Sequence, residues 1–263
     1  MKKNFIDDEQ KREELKNMIK KLVKLAYFSA FLYKKTPISL FLLAPPGQSK
    51  THYILKYKTK YSNVSTDLSY MGIINQLRKD KTLKHIVIPD FIKVSNKKKS
   101  TADSTIGLLC NFMEEGIFEI NLGNNEKIDF KGRTGGVITA TTRASYAQNF
   151  KKWNAIGFDS RFIFVSWEYS QLTLDSIMKE INTENKRLKQ TKMLKAKITD
   201  VYTESRLNAI FNKHTGNDLR KLIHFQDLAK CNALMNGRNK VMEEDINEVL
   251  RLGKIINTDF TII

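Results

Sequence analysis

The residues best equipped for chemistry form one run, Ala44-Pro45-Pro46-Gly47-Gln48-Ser49-Lys50-Thr51, directly after the apolar run Ile38-Ser39-Leu40-Phe41-Leu42-Leu43. A buried strand entering a Pro/Gly turn that ends in Lys-Thr has the layout of a phosphate-binding P-loop. In such a loop, backbone amides and the start of the next helix cradle phosphate oxygens. The Lys reaches the terminal phosphates and the Thr hydroxyl ligates Mg²⁺. On this reading the phosphate contacts fall to Pro46, Gly47, Gln48, Ser49, Lys50 and Thr51.

The elements that hold this loop follow from apolar periodicity. Residues 8–34 read as a helix: Asp7-Asp8-Glu9 suit its positive N-terminus, and Leu15, Met18, Ile19, Leu22, Leu25 and Tyr27 recur at helical spacing. Pro37 ends it. A helix carrying Tyr53, Ile54, Leu55 and Tyr57 follows Thr51, and Asp67-Leu68-Ser69 caps another that ends near Asp80. Short buried strands are expected at 86–88, 137–141 and 162–166, with a helix over 100–115. Segments 117–121 and 127–131 flank Gly123-Asn124-Asn125 as a hairpin. Beyond about residue 172 the pattern is helical with no strand candidate, and the Lys-rich stretch 184–197 reads as a solvated helix or linker. The expected class is α/β, a parallel sheet followed by an all-helical lid. The parts are an N-terminal helix (1–37), a core (38–170) and the helical remainder (171–263).

Composition limits the function. Lys and Arg number 45 against 28 Asp and Glu, a formal charge of +17, which favours polyanions: nucleic acid, acidic membrane or acidic protein. Cys110 and Cys231 lie far apart in apolar segments and read as buried, reduced thiols. The four histidines form no pair at metal spacing. No apolar run approaches a membrane span, and Met1-Lys2-Lys3 leads into acidic residues rather than a signal-peptide core. A cytoplasmic protein is expected.

The run 44–51 resembles the Walker A motif of AAA+ ATPases, Gly-Pro-Pro-Gly-Thr-Gly-Lys-Thr, at five of eight positions. Ala44 and Ser49 stand where that family has glycine. Ile86-Val87-Ile88-Pro89-Asp90 resembles Walker B, but Phe91 occupies the place of the Glu that polarises the attacking water. Val137-Ile138-Thr139-Ala140-Thr141-Thr142 resembles the sensor 1 strand, with Thr142 as the better match and Thr141 as the alternative. Gly157-Phe158-Asp159-Ser160-Arg161-Phe162 is similar to the arginine-finger segment of MCM helicases, and Arg161 is otherwise a surface ion-pair residue. Thr215-Gly216-Asn217-Asp218-Leu219-Arg220 resembles the sensor 2 helix of clamp loaders and initiators, which implies that Arg220 bends over the nucleotide from the lid and reports its γ-phosphate, and 236–246 resembles the turn and capped helix that close their lids.

The resemblance implies ATP and Mg²⁺ as cofactors, with Thr51 and Asp90 on the metal. Asp90, Thr142, Arg161 and Arg220 carry catalytic roles, Arg161 acting on the neighbouring subunit of a ring or spiral. It also implies a pore hairpin that grips DNA. Here Lys127, Lys131 and Arg133 lie on the hairpin's flank and root, and Lys97, Lys98 and Lys99 form a second basic run. Glu114 and Glu115, ending the helix before the hairpin, are expected to be solvated. Two classes follow. One is an oligomeric ATPase that moves or loads on DNA, in a replication or mobile-element complex with protein partners of its own. The other is a hydrolysis-deficient scaffold, which Ser49 and Phe91 favour.

Overall fold

The computed structural model describes residues 9–123, 126–170, 173–175, 191–215 and 218–257. Its centre is a six-stranded sheet of β1 (Leu40–Leu43), β3 (Ser62–Val64), β4 (His85–Ile88), β7 (Gly136–Thr141), β8 (Ile163–Ser166) and β10 (Ile256–Asn257). The order across it is β10-β8-β1-β7-β4-β3. Five strands run parallel and β10 lies antiparallel on β8. Strands β1, β4 and β7 are buried along their whole length, which is why they read as unbroken apolar runs rather than alternating ones.

Alternation along each strand divides the core into two layers. One face carries Leu40, Leu42, Val87, Ile138, Ala140, Ile163 and Val165. It packs under α1 (Glu9–Phe28), α2 (Lys50–Leu55) and the C-terminal helices α7 (Ser205–Thr215), α8 (Leu219–Met235) and α9 (Glu243–Gly253). The other face carries Phe41, Leu43, Ile86, Ile88 and Phe164 against α3 (Tyr70–Lys79), α5 (Lys99–Met113) and α6 (Arg143–Ala155). The short α4 (Ile92–Ser95) joins β4 to α5. The hairpin of β5 (Ile117–Asn121) and β6 (Lys127–Arg133) forms a separate two-stranded sheet. At its root Gly116 (φ 89°) lies so close to Gly132 (φ 70°) that a Cβ on Gly116 would stand 2.6 Å from the Gly132 carbonyl oxygen.

Several expectations need correction. The first helix ends at Phe28, and Leu32 bridges in parallel to Thr199. Tyr57 belongs to β2 (Tyr57–Lys58), not to the helix after Thr51, and β2 pairs with β9 (Lys192–Met193). The region beyond 172 therefore supplies two strands, β9 and β10, each of two residues and too short to show a period. Strand β3 was not anticipated either, because Ser62-Asn63-Val64 is polar and half exposed. Residues 1–8, 124–125, 184–190 and 216–217, on which parts of the first helix, hairpin tip, linker and sensor 2 expectations fall, lie outside the described residues. Both cysteines are buried and unpaired.

The second core layer is an aromatic cluster. Phe41 stacks on Phe164 with centroids 5.2 Å apart, and Phe91 stacks on Phe158 at 5.3 Å. Asp159, 1% exposed, sits at its edge, where burial drives its carboxyl up to about 6 against the opposing pull of the Tyr146 hydroxyl. The folded state thus keeps a proton that the unfolded chain releases near pH 4, so stability due to this group falls as pH rises between about 4 and 6. His85 and His224, both pushed down to about 4 by burial, act in the opposite direction over the same range. The Asp159 effect is therefore read by difference. Asp159→Asn should gain on the parent by about 3 kcal/mol between pH 4 and pH 6 in denaturant melts, with little further change above.

Candidate functional site

The loop 44–51 leaves the carboxyl end of β1 and enters α2. Gly47 and Ser49 both adopt left-handed backbone, at φ 76° and φ 59°. Ser49 therefore occupies a conformation that glycine takes without steric cost and a side chain takes at about 1 kcal/mol or more. Among the described residues the amides of Gly47 and Ser49 meet no acceptor in the chain, so they remain available to an outside oxygen. Pro46 has no amide and can only shape the turn. The Gln48 side chain turns inward and is buried. Its Oε1 accepts from the Tyr169 amide at 2.9 Å, fastening the loop to the segment after β8. Tyr53 of α2 meets Tyr169 again, hydroxyl to hydroxyl, at 3.0 Å.

Lys50 folds across its own loop and donates from Nζ to the Ala44 and Pro45 carbonyls, each at 2.7 Å. Burial lowers its pKa and the Asp90 carboxylate raises it, so the two charges share one electrostatic environment. Register explains the meeting. β7 lies between β1 and β4, with Leu43 opposite Thr141 and Ile88 opposite Thr139. Asp90, two residues past Ile88, thus ends level with Thr141, and the Phe91 amide donates to Ala140 O at 2.8 Å. The Asp90 Oδ1 accepts from the Ile92 amide at 3.2 Å, which orients the carboxylate just beyond the strand. Thr51 is exposed on the first turn of α2. Thr142 caps α6: its Oγ1 accepts from the Ser145 amide at 3.1 Å and lies 2.8 Å from the Ser145 hydroxyl. Phe91 does not face this edge. It is fully buried, 5.6 Å from Phe41 and 5.4 Å from Trp153 between centroids.

Two charged residues of this edge carried no motif and were missed. Arg143, next to Thr142, donates from Nε to Ser166 Oγ at 2.8 Å and pairs with Glu168 Oε2 at 3.1 Å. Both belong to the chain ends beside the loop, since Ser166 pairs in register with Leu43. Among the described residues no cluster of three or more acidic, His or Cys groups forms a metal site by itself. Magnesium bound through one carboxylate, one hydroxyl and phosphate oxygens does not require such a cluster.

Arg161 and Arg220 lie together at the opposite, amino edge of the sheet, so Arg220 does not bend over its own chain's loop as the resemblance implies. Glu114 joins them. Its Oε2 is 2.9 Å from Arg161 Nη2 and its Oε1 accepts from Arg220 Nη2 at 2.8 Å. Arg220 Nη1 also donates to Ser160 Oγ at 2.7 Å. Glu114 and Glu115 are both exposed, as expected, and Glu114 is in addition an ion-pair centre. β1 separates this pair from its own chain's loop by four residues, about 13 Å of extended chain.

The basic residues expected to meet nucleic acid divide by what they already bind. The Arg133 guanidinium donates to Leu77 O at 2.7 Å and Leu83 O at 3.0 Å, and also to Asp80 O, closing the C-terminus of α3. Lys97 is tied to Asp67, and Lys127 lies 3.2 Å from Glu119 across the hairpin. Lys98, Lys99 and Lys131 are exposed with no ion pair among the described residues.

The left-handed Ser49 gives a direct test of the loop. Ser49→Gly should raise stability by about 0.5–1 kcal/mol, seen as an upward shift in the denaturation midpoint with unchanged slope. Neither a protein-family model nor a curated protein sequence matches this chain.

Proposed function

We propose that the chain is an ATP-binding P-loop module of the AAA+ type that assembles into a ring or spiral and acts on DNA. The observation that carries this reading is the convergence of Lys50, Thr51, Asp90 and Thr142 at one edge of a parallel sheet, beneath a left-handed loop with free amides. Each part has a role there. The amides and Lys50 take the β- and γ-phosphates, Thr51 and Asp90 hold Mg²⁺, and Thr142 or the buried Thr141 approaches the γ-phosphate. In this reading the C-terminal helices act as the lid. Arg161 and Arg220, too far from their own loop, meet a nucleotide held by a neighbouring copy and neutralise charge there. The net charge of +17 and the exposed Lys98, Lys99 and Lys131 suit phosphate contacts with DNA, without sequence preference.

A second reading, a nucleotide-bound scaffold that scarcely hydrolyses, is favoured by Phe91. Its ring belongs to the aromatic core, so no water can be oriented from that position. Groups that position or deprotonate a nucleophile contribute about 10²–10⁴-fold, and turnover should be slow by that order. Phe91→Glu cannot restore the missing group, because it would bury a carboxylate among rings.

Lys50→Ala should abolish binding of a labelled ATP analogue, since the phosphates lose their nearest counter-ion. Equal binding by parent and variant would refute the cradle. ATP turnover with and without single- and double-stranded DNA separates the motor from the scaffold. Where the parent turns over, mixing Arg161→Ala with Lys50→Ala chains should recover part of the rate at junctions with an intact loop and an intact finger. A chain that stays monomeric with nucleotide and DNA would remove the motor reading.

A further inference from the structure

At the amino edge of the sheet, between the loop 34–39 and α8, lies a cavity of about 300 Å³ whose wall includes Lys34, Lys35, Glu114, Arg161, Arg220 and His224. Among the described residues its charges do not balance. Four cations line it against Glu114 and Asp227, and Glu115 stands outside at 3.8 Å from Arg161. Glu114 is divided between two guanidiniums, and Asp227 meets Lys35 only at 3.9 Å.

Unmet donors point the same way. Arg161, 11% exposed, has a buried Nε with no acceptor. Lys34 stands in left-handed backbone, φ 49°, a strained state for a residue with a side chain. Its ammonium lies 5.2 Å from the Tyr33 ring centre and makes no ion pair among the described residues. The turn it forms sets Lys34 and Lys35 on the cavity wall. The volume is at the small end of the ~300–1,000 Å³ range of ligand pockets, sufficient for a short phosphate chain.

We propose that this cavity is a polyphosphate-binding site in which Lys34 and Lys35 complete the Arg161–Arg220 pair. Glu114 holds the two guanidiniums in position while the site is empty. It deepens the reading of these arginines as phosphate ligands, yet it requires neither the loop 44–51 nor hydrolysis. The phosphate chain is either free in solution or the tail of a nucleotide presented by a second copy.

The test starts from Lys50→Ala chains, in which the other phosphate site is disabled. Inorganic tripolyphosphate titrated calorimetrically at low salt should bind one site per chain. Lys34→Gln with Lys35→Gln should weaken it at least tenfold, and Glu114→Gln should tighten it several-fold by removing the competing carboxylate. Lys79→Gln with Lys151→Gln, an equal loss of charge elsewhere, should leave the affinity unchanged. In a second arm, labelled Lys50→Ala chains are mixed with Arg161→Ala chains loaded with a non-hydrolysable ATP analogue. Association that depends on Lys34 and Lys35 assigns the phosphate to the second copy. Binding in neither arm, or equal weakening by both lysine pairs, overturns the proposal. Loss of the loop reading shows separately, as equal ATP-analogue binding by the parent and Lys50→Ala.

Discussion

The pairing of β1 between β7 and β8 is the constraint on which the rest depends. Parallel strands all end on the same edge, so whatever follows each of them is delivered to one place. Leu43 opposite Thr141 on one side and Ser166 on the other fixes the level at which the loop 44–51, Thr142 and Glu168 emerge. A one-residue slip of β1 would exchange its two faces, sending Phe41 out of the aromatic layer and Leu42 into it. The candidate site therefore inherits its precision from two well-packed layers rather than from contacts among its own residues. Gln48 and Tyr53 extend that precision outward, since both are tied to Tyr169 just beyond β8.

The same packing fixes the residue after Asp90. Phe91 follows Asp90 directly, and the chain must turn there into α4. Its amide is taken by Ala140 and its ring by Phe41, Trp153 and Phe158. A carboxylate at this position would need a different turn, with the side chain facing the edge. The aromatic core and a water-orienting acid at residue 91 are thus alternatives. The core holds the position, and the acid nearest the loop on this edge besides Asp90 is Glu168, which faces Arg143.

What could be read from the sequence was whatever had a long period or a dense local signal. The buried strands around β1, β4, β7 and β8, the cap at Ser69 and the hairpin were legible because continuous apolar runs and turn residues mark them. The Lys50, Asp90 and Thr142 grouping was legible because each sits at the end of such a run. β2, β9 and β10, of two residues each, have no period to detect, and β3 is polar. The ion pairs of Glu114 were not legible because its partners are 47 and 106 residues away in sequence, and only the fold brings Arg161 and Arg220 to it. Arg133 was read as a phosphate contact for the same reason: the carbonyls it closes belong to α3, more than 50 residues earlier.

The two edges of the sheet carry complementary chemistry. The carboxyl edge presents free amides and one lysine, and the amino edge presents arginines and lysines around a cavity in which, among the described residues, cations outnumber acids. Each guanidinium at the amino edge is held by Glu114, which limits the side-chain entropy that any further ligand of the pair would cost. Within one chain the strands keep the edges apart, so neither can complete the other. In the proposed assembly, two copies stacked edge to edge would remove that obstacle by setting the arginines of one against the loop of the next. The rigid sheet that prevents self-completion is what would make such an association directional, and a head-to-tail contact of this kind closes into a ring or extends into a spiral according to the angle between copies.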